Sequence, residues 1–112
     1  MAFDGDGIGR RIELYLLENR EEDVQAFSAR ILAAIGAIGQ ILESRGGELI
    51  FCTGDSVLAK FSPNTKVNNL IEECERIFLE RTGNTIASGA ASTLREVYLE
   101  LKLAKGRKTC PP

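Results

Sequence analysis

Along the chain, short β-rich runs separate longer stretches in which hydrophobic residues return every three or four positions. Ile8, Ile12, Tyr15 and Leu16 share one face of a first helix, with Asp6 as its expected N-cap, and the polar stretch ENREED interrupts the pattern near residue 20. A longer second helix carries Val24, Phe27, Ile31, Ile35, Ile38 and Leu42 and stops at Arg45-Gly46-Gly47. Gly36 and Gly39 weaken it by up to roughly 1 kcal/mol each, so close packing of its backbone is expected. Two β-rich runs, 48–53 and 56–61, flank Gly54-Asp55. Glycine first in a two-residue loop signals a type II′ hairpin. Leu49 and Phe51 alternate with Ile50 and Cys52, which predicts that the first of these strands is covered on both faces.

Val67, Leu70, Ile71, Cys74, Ile77 and Phe78 form the stripe of a third helix ending near Gly83, and TIASGA reads as a fourth strand. Ser92 is the expected cap of a last helix with Leu94, Val97, Tyr98, Leu101 and Ala104 on one face, running into Lys105. At the other end, Met1 to Phe3 suffices for the end of a first strand only, with Asp4 just beyond it. The order β-α-α-β-β-α-β-α predicts an α+β, ferredoxin-like domain over residues 1–108, followed by a tail at 109–112.

Composition narrows the chemistry. With 112 residues, 44% hydrophobic and 27% charged, the chain fits one domain with one core. A net charge of −2 gives no overall basic field for duplex nucleic acid or for a membrane surface. Cys52, Cys74 and Cys110 lack metal-ligand spacing, and their odd count argues against a disulfide framework; without a signal peptide in view, the cytosol is the expected compartment. The apolar run Ile31 to Leu42 is too short to span a bilayer and contains Gln40. Histidine is absent, so histidine-based zinc sites and general bases are excluded. Carboxylates, lysine, hydroxyls or bound metal ions must carry any catalysis.

The candidate chemistry starts at FDGDGIG, residues 3–9. An Asp-Gly pair alone is an ordinary turn signal. In the expected topology, however, the first strand runs antiparallel beside the third, so Asp4 and Asp55 share one sheet edge. Like charges that close raise each other's pKa and destabilise the fold unless a cation intervenes. Oxygen donors with open positions suit Mg²⁺ or Mn²⁺ bridging substrate phosphates. Gly5, Gly7 and Gly9 allow close backbone approach to a triphosphate, and the amides at the helix start offer anion contacts. Arg10, Arg11 and Lys105 are candidate phosphate counter-charges, with surface solvation as the competing reading, more so for Arg11 than for Lys105. A purine pocket is expected between the first helix and the hairpin.

Taken together, FDGDGIG, the hairpin GGELIFCTGDSVLAKF and the ending ASGAASTLREVYLELKLAKGRK resemble the palm domain of nucleotide cyclases and CRISPR polymerases. The similarity covers nearly the whole chain and is closest to the minimal CRISPR polymerase family, mCpol, and more distant to GGDEF diguanylate cyclases. The resemblance implies that Asp4, the Gly5 carbonyl and Asp55 bind the metal ions, with Asp4 and Asp55 catalytic. Gly5, Asp6, Gly7, Ile8, Gly9, Gly54, Ser56 and Lys105 would hold the nucleotide, Lys105 at its triphosphate. The implied activity is a metal-dependent nucleotidyltransferase that makes a cyclic di- or oligonucleotide from nucleoside triphosphates, ATP favoured, in antiphage defence. Joining two nucleotides suggests a homodimer, with the glycine-bearing second helix and the open hairpin edge as candidate contacts. Where many relatives have Gly-Gly-Asp-Asp, this hairpin reads Thr53-Gly54-Asp55-Ser56, so one carboxylate is missing; Asp6 is a candidate substitute. A nucleotide-binding module that does not turn its ligand over is the rival reading, favoured by Ser56 and disfavoured by Asp4 and Asp55 together.

Overall fold

The computed structural model describes residues 1–109; of the expected tail, Thr109 ends the last helix and residues 110–112 lie outside the described residues. The elements follow in the order β1 (Ala2–Gly5), α1 (Ile8–Leu17), α2 (Glu21–Ser44), β2 (Glu48–Thr53), β3 (Ser56–Lys60), α3 (Leu70–Thr82), β4 (Ile86–Gly89) and α4 (Leu94–Thr109). The strands form one antiparallel sheet, ordered β2-β3-β1-β4. The domain is α+β, as its hydrophobic pattern predicts.

Side-chain alternation explains the layers. Phe3, Val57, Ala59 and Ile86 project to one face and join Phe27, Ile31, Ile35, Ile38, Leu42, Leu70, Cys74 and Phe78 of the covering helices in a single core. Ala2, Asp4, Ala87 and Gly89 belong to the opposite face, where α4 lies over β1 and β4. Small residues let that helix sit close: a Cβ on Gly89 would come within 2.9 Å of the Leu101 amide nitrogen and 3.1 Å of the Val97 carbonyl oxygen. Burial of the Cys74 thiol in the core pushes its pKa up to about 12, which leaves it a packing residue.

Several expectations need correction. Asp4 and Gly5 lie inside β1, because β3 and β4 both pair with Asp4 and β4 pairs with Gly5. Gly7, in the left-handed conformation with φ +67°, is the N-cap of α1 in place of Asp6. Thr93 caps α4 in place of Ser92, its hydroxyl accepting a hydrogen bond from the Glu96 amide. The third helix begins at Leu70, leaving Val67 to pack from the preceding loop. Leu16, Leu94 and Tyr98 are exposed, so the buried stripes of α1 and α4 are narrower than their spacing suggests.

Strand β2 is an edge strand with one face open. Its pairing slips between Leu49 and Phe51, which turns both Leu49 and Cys52 towards Gly39 of α2 and leaves Ile50 and Phe51 exposed. Gly39 is therefore closely packed, as expected, but Gly36 has open space around its Cα. The run 31–42 belongs to a helix of 24 residues that is long and apolar enough to cross a membrane by length and composition. In the domain, seven of its residues, from Phe27 to Leu42, are buried.

Gly36→Ala is expected to stabilise the fold by about 0.5 to 1 kcal/mol, the usual gain from replacing an unconstrained helical glycine. Gly89→Ala should instead cost about 1 to 3 kcal/mol, because α4 has to lift off the sheet. Urea unfolding of the two variants beside the parent chain checks both signs.

Candidate functional site

The antiparallel pairings collect the sequence-expected residues at one end of the sheet. Asp4 pairs with Ser56 across β1 and β3, and the Gly5 amide donates to the Asp55 carbonyl oxygen at 2.9 Å. Gly54, with φ +58°, turns the hairpin beside them as the type II′ loop requires. Gly5 has no room for a side chain: a Cβ would lie 2.8 Å from Cγ1 of Ile8 and 3.2 Å from the Phe78 ring.

Each carboxylate has a distinct environment. Asp4 accepts a hydrogen bond at Oδ1 from the Ser56 hydroxyl at 2.7 Å, and its Oδ2 lies 3.0 Å from Lys105 Nζ. The same ammonium donates to the Gly5 carbonyl oxygen at 3.1 Å and stands 3.7 Å from Asp6 Oδ1. Asp6 Oδ2 accepts from the Thr85 hydroxyl at 2.8 Å. Burial, then the neighbouring Asp4 charge, pushes the pKa of Asp55 above the ordinary aspartate value, while its own backbone, Lys105 and Ser56 pull it down.

Lys105 thus sits on the oxygen atoms expected to hold metal. Asp4 Oδ2 and the Gly5 carbonyl oxygen already converge on a cation, and hard oxygen donors of this kind fit Mg²⁺ or Mn²⁺. Among the described residues, no group of three or more acidic, cysteine or histidine side chains is gathered for a metal ion in this arrangement. The donor chemistry fits a divalent ion, but its geometry is organised around the ammonium.

Arg11 is a structural residue, neither solvated nor turned to the carboxylates. Its Nη1 donates to Asn84 Oδ1 at 2.6 Å and to the Thr82 carbonyl oxygen at 3.3 Å, Nε donates to the Tyr15 hydroxyl at 3.0 Å, and the guanidinium lies 4.5 Å from the centre of the Phe27 ring. Arg10 is exposed. No local sequence pattern points to Asn84 and Thr85 as part of this site. Asn84 Nδ2 donates to the Asp6 carbonyl oxygen at 2.8 Å, and the Asp6 amide donates to the Thr85 carbonyl oxygen at 3.0 Å. The available signal was topological: a strand antiparallel to β1 on its other edge has to begin beside Asp6.

A cavity of about 440 Å³ opens next to the carboxylates, bounded by Ile8, Gly9 and Ile12 of α1, Ser28, Ile31 and Leu32 of α2, and Gly54 and Asp55. It lies between the first helix and the hairpin, where a purine pocket is expected. A larger cavity, about 620 Å³, lies towards the other end of β1, around Met1, Phe61, Leu94 and Val97. Its described lining includes Lys60 but no carboxylate, so the smaller cavity is the one joined to the chemistry.

These features define a class: an α+β domain with an acidic, oxygen-donor site at the end of its central strand, beside an apolar cavity. The minimal CRISPR polymerase domain model, mCpol, matches residues 1–110, and the chain belongs to that family. The membership points to a polymerase-like, nucleotidyltransferase-type role. No curated protein and no solved structure matches the chain at a significant level.

The raised pKa of Asp55 has a consequence for stability. The folded state holds this proton more tightly than the unfolded chain, whose aspartates titrate near about 4. Stability due to this group therefore falls as pH rises from the unfolded value to the raised folded value, and the penalty is complete above it. Asp55→Asn is expected to raise the melting temperature of the metal-free protein at neutral pH, with the gain vanishing as pH falls to about 4. Melting curves at several pH values, in chelator, give the comparison.

Proposed function

We propose that this chain is a cytosolic, metal-dependent nucleotidyltransferase whose palm-type domain joins nucleoside triphosphates, ATP favoured, into a cyclic di- or oligonucleotide signal in antiphage defence. The observation that carries the reading is the meeting of Asp4, the Gly5 carbonyl and Asp55 at a strand end directly beside a cavity suited in size to a nucleobase.

Asp4, the Gly5 carbonyl and Asp55 would hold Mg²⁺ or Mn²⁺, with Asp6 near enough to assist. The bound ion supplies charge neutralisation at the phosphates and a more acidic attacking hydroxyl. The chain's own part is positioning. Ile8, Ile12 and Ile31 offer apolar surface to a base, and Gly9 and Gly54 keep the cavity mouth free of side chains. The first turn of α1 has no side-chain cap among the described residues, so its amides are suited to a phosphate. Attack requires a 2′- or 3′-hydroxyl about 3 to 3.5 Å from the α-phosphate, in line with the departing pyrophosphate. The described residues offer one such cavity beside the carboxylates, so the second nucleotide is assigned to a symmetric partner. The outward residues Leu32, Ala33, Gly36 and Gln40 of α2 and the open edge of β2 are the candidate contacts.

A second reading has one observation in its favour. The Ser56 hydroxyl, standing where many relatives carry a carboxylate, donates to Asp4 Oδ1 and so engages one oxygen of a proposed metal ligand. A module that binds nucleotide without turnover would tolerate that.

Incubation with each nucleoside triphosphate and Mn²⁺, followed by mass spectrometry, separates the two: cyclic products support the enzyme, and binding without product supports the module. Asp4→Ala and Asp55→Ala should each lower product formation roughly a hundredfold or more, the scale for losing one preorganised electrostatic group, while circular dichroism stays unchanged. Wild-type turnover in either variant overturns the assignment. Specific activity should fall on dilution in parallel with the mass seen by light scattering; constant activity from a monomer would overturn the paired-site model.

A further inference from the structure

We infer that Lys105 is a tethered counter-cation, seated in the cation position at the Asp4–Gly5 edge and exchanged for a divalent ion when the site loads. The inference rests on the metal-site reading above and adds a competition to it. Lys105 Nζ lies 3.0 Å from Asp4 Oδ2 and 3.1 Å from the Gly5 carbonyl oxygen, two donors in that reading. The other Asp4 oxygen already accepts from Ser56. A divalent ion needs those two oxygens at about 2.0 to 2.1 Å for magnesium. An ammonium cannot stay on the same atoms, since like charges at contact repel strongly and both need the same lone pairs.

Exchange does not require α4 to move. Its backbone is held close to the sheet at Gly89 by Val97 and Leu101, whereas lysine carries a compact charge on a flexible four-carbon stem. Rotation of that stem takes the ammonium off the carboxylates, and a triphosphate bound at the loaded site would offer it new oxygens. One residue then neutralises crowded carboxylates in the empty protein and substrate phosphate in the loaded one.

The test uses Mn²⁺ alone, without nucleotide, read by electron paramagnetic resonance on the whole chain. Lys105→Met should bind Mn²⁺ roughly tenfold to a hundredfold more tightly than the parent, the scale for removing one charge-assisted competitor. Lys105→Arg, which keeps a cation, should stay near the parent. In chelator, Lys105→Met should melt below the parent, and Mn²⁺ should raise its melting temperature by more. Equal or weaker Mn²⁺ affinity in Lys105→Met overturns the exchange and leaves the metal site standing, whereas absence of Mn²⁺ binding in all three overturns both. Should Lys105→Met fail to fold, acetic anhydride labelling of the parent decides. Faster acetylation of Lys105 with Mn²⁺ bound supports release of the ammonium, and unchanged labelling overturns it.

Discussion

Strand β1 has four residues and is hydrogen-bonded along both edges, and the site depends on that double pairing. Phe3, 1% exposed, locks the register by entering the core beside Val57 and Ile86. A slip of one residue would turn Phe3 to the α4 face and Asp4 into the core, exchanging a buried ring for a buried charge. With the register held, the chain leaves β1 between the hairpin on one side and the start of β4 on the other. Gly5 bonds to Asp55 and Asp6 to Thr85. Asp4 and Asp6 of one segment thus end up at the same end of the sheet as Asp55 of the hairpin, because two apolar neighbours of Phe3 hold a strand in line.

Such a gathering is unfavourable in itself. The fold offsets it unevenly: Asp4 receives Ser56 and Lys105, Asp6 receives Thr85 and the edge of the Lys105 charge, and Asp55 carries the raised pKa. Stability alone would favour a neutral amide in place of one of these groups. Their presence together is intelligible if the domain is built to hold a cation heavier in charge than one ammonium, with stability yielding to the needs of the site.

Much of this was legible in the sequence, because it rested on local chemistry. Gly54-Asp55 between β-rich runs specifies its hairpin, and the apolar spacing of α2 identifies Phe27, Ile31, Ile35, Ile38 and Leu42 as core. What escaped rested on partners far along the chain. Thr93 outcompeted Ser92 as a cap because α4 begins one residue later than the pattern suggested. A pairing slip in β2 made an expected two-faced strand one-sided. Arg11 reaches Tyr15 within α1, but its partners Thr82 and Asn84 are set beside it by the end of α3, and no spacing within α1 encodes them. Lys105 is expected from the sequence only as a candidate phosphate counter-charge, whereas its seat on Asp4 follows from the height of α4 above the sheet.

That height is set by residues with almost no side chain. Ala2, Ala87 and Gly89 form the sheet face beneath α4, and at Gly89 the helix backbone approaches as closely as a missing Cβ permits. Lys105 lies four residues beyond Leu101, so the two share a face of the helix one turn apart. Contact at Gly89 therefore sets the distance from which the lysine reaches β1. Larger side chains along this strip would raise the helix and draw the ammonium off Asp4 without altering any charged residue. Packing of small residues at one end of β1 and electrostatics at the other are thus one mechanical system, in which the helix is the lever and the lysine its tip.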